Sequence, residues 1–205
     1  MKLISGFLLA AIFLALAVPH AGAASLLDAP ISYNAMRTVT VDGKPYTGPV
    51  FHMPGRERHE QTMLGMQEVF ILDQSQGAGS LIVPALKTMV AFPFPPLLAS
   101  LLDTTLAKSP LGEEKIGDIA ATKYRVDKTA PDGTRGEGFL WISRRGVLMK
   151  LAGTVTAPGG HRTIIDMVLS GLQEAPQRPD LFVPPAGLTK LPAEALAPLL
   201  GFRLQ

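Results

Sequence analysis

Two series of short segments, rich in β-branched and aromatic residues, flank one stretch where the apolar period changes. The first series begins with "ISYNAMRTVTV" (31–41) and a "DGK" hairpin signal, where Gly43 adopts positive φ at little cost. "YTGPVFHM" (46–53), "RERHEQTM" (56–63), "EVFILD" (68–73), "SLIVPA" (80–85) and "KTMVAFP" (87–93) follow, most of them broken by Gly or Pro. "RERHEQTM" is polar throughout and reads as an edge-like or solvent-facing strand. The second series is "ATKYRVDK" (121–128), "GFLWIS" (138–143), "VLMKLAGTVT" (147–156) and "RTIIDMVLSGLQ" (162–173). Between the two series, leucines recur four apart: Leu97 with Leu101, and Leu98 with Leu102 and Leu106. Ser100, Asp103 and Thr104 take the opposite side, so residues 96–108 predict an amphipathic helix entered through Pro93, Pro95 and Pro96. Its apolar run is too short to span a membrane. An antiparallel meander interrupted once by a helix is a mainly β, α+β arrangement.

Residues 1–24 read as an export signal. Lys2 precedes the apolar run "LISGFLLAAIFLALAV"; Pro19 breaks it, and "AGAAS" offers a cleavage site after Ala23 or Ala24. The expected mature protein is therefore one domain, residues 25–205, in the periplasm, with no membrane span. Hydrophobic residues are 47% and charged residues 18%, so the chain can build a core. It must do so without disulfides, because it has no cysteine. A net charge of +2 gives no reason to expect nucleic-acid binding.

The residues of chemistry are sparse. His52, His59 and His161 lack metal-ligand spacing, and no cysteine completes a zinc set. His52 and His59 fall on neighbouring predicted strands and read as a surface pair. No G-x-S-x-G elbow or phosphate-cradling glycine run occurs. Glu113, Glu114 and Asp132 read as solvated turn residues. Trp141 shares a strand face with Phe139 by period two. The sequence thus gives no catalytic residue, no metal site and no cofactor, and the reading is non-enzymatic.

Several stretches in order resemble the LolA-like superfamily of periplasmic proteins, above all a Gram-negative branch similar to outer-membrane lipoprotein carrier and sorting proteins. They are "GRERHEQTMLGMQEVFILDQSQGAGSLIVPALKTMVAF", with its V-P-x-x-K segment, "IGDIAATKYRVDK", "GFLWISRRGVLMKLAG" and "PDLFVPPAGL". The likeness spans residues 31–188 and marks a fold more than a chemistry. It implies a strongly curved antiparallel sheet, an unclosed half-barrel, with helices over its concave face. It implies a carrier or sensor whose partner is a lipid, an acyl chain or a lipidated protein such as a lipoprotein. The expected lining is Phe92, Phe94, Leu98, Leu101, Leu102 and Trp141. The alternative is an envelope assembly scaffold, with a protein partner and a barrel filled by its own side chains.

Overall fold

A computed structural model describes residues 29–63, 65–102 and 110–192. The expected export signal, residues 1–24, and residues 103–108 of the expected helix lie outside the described residues.

The first series forms a six-strand meander: β1 (Tyr33–Val41), β2 (Lys44–Met53), β3 (Arg56–Met63), β4 (Met66–Asp73), β5 (Ala78–Val83) and β6 (Thr88–Pro93). Asp42 and Gly43, both at positive φ, make the first hairpin turn. Helix α1 (Pro96–Leu102) follows. The second series forms β7 (Gly112–Ile116), β8 (Ile119–Thr129), β9 (Arg135–Ser143), β10 (Leu148–Thr156) and β11 (Arg162–Glu174), and β12 (Thr189–Leu191) closes the tail. All twelve strands belong to one sheet, in the order β12-β6-β5-β4-β3-β2-β1-β11-β10-β9-β8-β7. Every neighbouring pair is antiparallel except β12 with β6. The sheet is curved and unclosed, a half-barrel of the expected kind.

This order fixes what α1 does. The two meanders join in the middle, through β1 and β11, so β6 and β7 lie at opposite ends of the sheet. The described first part of the chain linking them, through α1, lies on the inner face. Leu97, Leu98 and Leu101 are almost fully buried there and belong to the main core, with Phe70, Leu72 and Phe92 from one meander and Leu140, Leu151 and Ile165 from the other. Burial of one such leucine contributes about 2 kcal/mol. Among the described residues no helix is long and apolar enough to cross a membrane.

Glycines allow the tight curvature. A Cβ on Gly48 of β2 would sit 1.8 Å from the Glu60 carbonyl oxygen of β3. Gly138 and Gly153 face each other across β9 and β10. Cβ atoms there would meet the Ala152 and Glu137 carbonyl oxygens at 2.2 and 2.7 Å. Only bare backbone permits such approaches.

A second, smaller core lies on the outer face. Val69, Ile71 and Ile82 pack against Phe182 of a 3-10 turn, Pro179–Phe182. Arg58 donates from Nη1 to the Leu181 carbonyl at 3.2 Å. The segment Pro179–Phe182 thus covers part of the first meander on its outer face.

Three expectations are corrected. β3 is neither edge-like nor solvent-facing: it is the fifth strand of twelve, and Glu57, His59 and Gln61 alternate into the interior. His52 and His59 do lie on adjacent strands, yet they are buried rather than a surface pair. Glu113 and Glu114 belong to the edge strand β7 rather than a turn, although they are indeed exposed.

Candidate functional site

The inner face carries two contrasting surfaces. The first is apolar. Beside Leu101 of α1 a small cleft opens against the strands β8 to β11, with about 30 Å³ of enclosed space behind a wide, solvent-filled mouth. Its walls are Val126, Leu140, Leu151, Val155 and Ile165, and its floor is Gly136, Gly138 and Gly153. The floor is bare for the reason already given: the strands approach too closely at Gly138 and Gly153 for side chains. At Gly136 a Cβ would press on Leu97 at 3.1 Å, so the glycine also makes room for α1. Glu137 borders the cleft but directs its carboxylate outwards, to Arg135 at 3.2 Å and Arg162 at 3.7 Å.

Of the residues expected to line the hollow, Phe92, Phe94, Leu98 and Leu101 are brought together in the main core. Leu101 reaches the cleft; the other three fill the space between helix and sheet. The side chain of Leu102 lies outside what is described. Trp141 belongs to the same buried cluster but does not line the cleft. It lies on the outer face with Phe139, as period two requires, while Leu140 turns inwards. Its indole N–H donates to the Glu114 carboxylate at 2.8 Å. The ammonium groups of Lys150 and Lys123 sit 4.4 and 4.8 Å from its ring centroids. This is a cation–π sandwich that buries the ring beneath two lysine stems.

The second surface is polar, and sequence reasoning missed it. Arg37 of β1, His52 of β2, Glu57, His59 and Gln61 of β3, and Glu68 of β4 are all at most 5% exposed. Cross-strand register puts them side by side: His52 opposite Glu57, and Gln61 opposite Glu68. Arg37 donates to the Glu57 carboxylate. Gln61 donates to Glu68 at 3.0 Å. His52 stacks on Tyr33, and its Nε2 lies 3.0 Å from the Ala29 carbonyl oxygen. A carbonyl only accepts, so Nε2 carries the proton and Nδ1 faces Glu57 at 3.9 Å.

Burial governs the titration of this floor. It pushes His52 down to about 4; the nearby Arg37 charge adds to this and the Ala29 bond opposes it. Burial also holds His59 well below the usual histidine range, again helped by Arg37 and opposed by Gln61. Glu68 is raised by burial against the Gln61 hydrogen bond. Both histidines are therefore neutral at pH 7. Among the described residues no three His, Cys, Asp or Glu are arranged to hold a metal ion.

Neither a known family profile nor a curated protein matches the sequence. Solved structures do. An uncharacterized conserved protein from Thermus thermophilus superposes with a TM-score of 0.51 at 10% identity, over 80% of this chain and 91% of that one. The Pseudomonas aeruginosa MucA/MucB complex gives 0.47 at 17% identity, over 79% of this chain but only 58% of the matched chain. The LolA superfamily protein NE2245 from Nitrosomonas europaea gives 0.41 at 9% identity, over 76% and 91%. The half-barrel fold is shared with the Thermus thermophilus protein. At such identities the likeness concerns the fold alone.

Within this half-barrel the two surfaces suit different tasks. The polar floor ties β1 to β3 through Arg37 and Glu57, and β3 to β4 through Gln61 and Glu68, while the ring nitrogens of the buried His59 make no hydrogen bond among the described residues. Among the described residues the cleft offers no ionisable side chain to a guest, and its walls are hydrocarbon. It is fitted to remove apolar surface from water rather than to move protons or electrons.

Proposed function

We propose that this protein is a LolA-like, exported, periplasmic, non-enzymatic carrier or sensor. It takes part of an acyl chain, from a lipid or from the lipidated end of a protein, into the cleft beside α1. The observation that carries this reading is the bare glycine floor at Gly136, Gly138 and Gly153 beneath walls of Val126, Leu140, Leu151, Val155 and Ile165. An acyl chain gains about 0.8 kcal/mol per buried methylene. The enclosed space is about 30 Å³, so capture by the cleft as it stands would be weak and reversible, and a longer stretch of acyl chain would require α1 to shift outwards. The experiment is mass spectrometry of lipids that co-purify from a periplasmic extract, joined to displacement of a fluorescent fatty-acid probe. A protein free of lipid that binds no probe would sink the reading.

A second reading has its own support. Much of the hollow is occupied by the chain itself, since Phe92, Phe94, Leu97 and Leu98 are all buried beneath or within α1. Such a self-filled barrel suits an envelope scaffold whose partner is a protein. Affinity capture from envelope fractions tests it, and recovery of no partner above a mock-matrix control would reject it.

A further inference from the structure

The polar floor does not satisfy itself. Arg37 commits one nitrogen, Nη2, to Glu57. Its Nε and Nη1, both ring nitrogens of His59 and the Oε1 of Gln61 are buried with no hydrogen-bond partner among the described residues. Arg37, His59 and Gln61 are 3%, 0% and 5% exposed, so bulk solvent does not answer them. A buried polar group left unmet costs at least a lost hydrogen bond, and native folds seldom leave several together.

Strand register brings these five atoms to one place. On the inner face Arg37 lies opposite Gly48. The next row is Ala35, Val50 and His59, and the row after it is Tyr33, His52 and Glu57. Arg37 starts in the first row and ends on Glu57 in the third, so its guanidinium passes the His59 ring in the second. Gln61 follows His59 on the same face of β3, towards the Arg37 row. Gly48 stands between Arg37 and Gln61 and puts no side chain there; a Cβ on it would lie 3.3 Å from the Gln61 Cα. The Arg37 charge and the Gln61 amide both act on the His59 ring, as that proximity requires.

We propose that an internal water molecule binds between Arg37, His59 and Gln61 and completes the polar floor. It accepts from the Arg37 guanidinium and donates to Gln61 Oε1 and to the unprotonated ring nitrogen of His59. Those are about the three hydrogen bonds that a buried water usually makes. The mixture of donors and acceptors selects water over an ion. An anion would meet the lone pairs of Gln61 and His59 beside the Glu57 carboxylate, and a cation would meet the guanidinium. Water alone serves both kinds of group. It links β1 to β3 a second time, next to the Arg37–Glu57 pair, and it does so whether or not the apolar cleft takes an acyl chain.

Magnetic relaxation dispersion of the water signal, which counts long-lived internal waters in solution, tests this on the full mature protein. His59→Phe keeps a ring but removes both nitrogens, and should lower the count by one. His59→Gln keeps a donor and an acceptor, and should leave it unchanged. Equal counts for the native protein and His59→Phe overturn the proposal. Should His59→Phe fail to fold, a high-resolution crystal structure of the native protein decides by itself. It should show a peak about 2.7–3.2 Å from Arg37, His59 and Gln61 together. A direct bond from His59 to Gln61 or Arg37 with no peak between them overturns the proposal. So does an anomalous peak there after a bromide soak, which would give the site to an anion.

Discussion

Acidification should weaken this fold through the two buried histidines. In the unfolded chain each takes up its proton near pH 6.5. In the folded chain His52 does so only at about 4, mainly because burial penalises its charge. His59 is likewise held well below its ordinary value. Between those limits the unfolded state binds protons that the folded state refuses, so stability falls as pH falls. For His52 the interval from 6.5 to about 4, at about 1.4 kcal/mol per pH unit, amounts to about 3 kcal/mol once pH 4 is reached. His59 acts in the same direction. Glu68 acts the other way: its raised pKa makes the buried carboxylate a cost at neutral pH, and that cost is recovered as the group protonates. Two histidines against one carboxyl leave a net loss, large beside the roughly 5–15 kcal/mol that holds a whole domain folded. Urea unfolding at half-unit steps from pH 7.5 to 4.5 measures it. The native protein should lose about 2 kcal/mol or more across that range. His52→Gln and His59→Gln should each flatten the slope, whatever they cost at pH 7. A flat native curve, or a slope that neither His52→Gln nor His59→Gln lowers, would refute the reasoning.

The other expectations follow from the same geometry. Arg37→Met leaves Glu57 buried without its guanidinium and should lower stability by about 3–5 kcal/mol, while the double variant with Glu57→Leu should regain part of it; thermal melts of the four proteins check this. Val126→Phe places a ring in the apolar cleft and should weaken fatty-acid probe binding about tenfold, the worth of roughly two lost methylenes; unchanged affinity would remove the cleft from the binding site. Gly48→Ala forces a methyl against the Glu60 carbonyl oxygen and should prevent normal folding, visible as lost near-ultraviolet circular dichroism, whereas Gly159→Ala, with open space around it, should not.

The strands are legible in the sequence because their signals are local. Alternation in "ATKYRVDK" puts Tyr124 and Val126 on one face and Lys123 and Arg125 on the other, and the register of β8 against β9 agrees. Helix α1 is legible from the leucine spacing for the same reason, and all three of its leucines with described side chains are buried. Which face is inside is not legible. It depends on where α1 crosses, and α1 crosses where it does because β6 and β7 sit far apart in a twelve-strand order that no local pattern encodes. Size and hydrophobicity assign Trp141 to the hollow, yet its neighbour Leu140 faces α1 and the indole meets two lysines and Glu114 outside. In β4 the pattern fails for another reason: Phe70 and Leu72 meet the main core while Val69 and Ile71 meet Phe182 of the tail, so both faces are apolar. Strand β3 is the sharpest case. A buried Glu, His and Gln look like a solvated face until their cross-strand partners are known. Those partners, Arg37, His52 and Glu68, lie on three other strands, two of them reached only through hairpins. A polar floor of this kind restricts register, because sliding β3 by one residue would expel Glu57 and Gln61 from their partners and bring Arg58 and Glu60 inside. The interior charge that hides the strand from pattern reading therefore helps to hold the first meander in place, and this leaves the glycine-floored second meander free to keep a cleft.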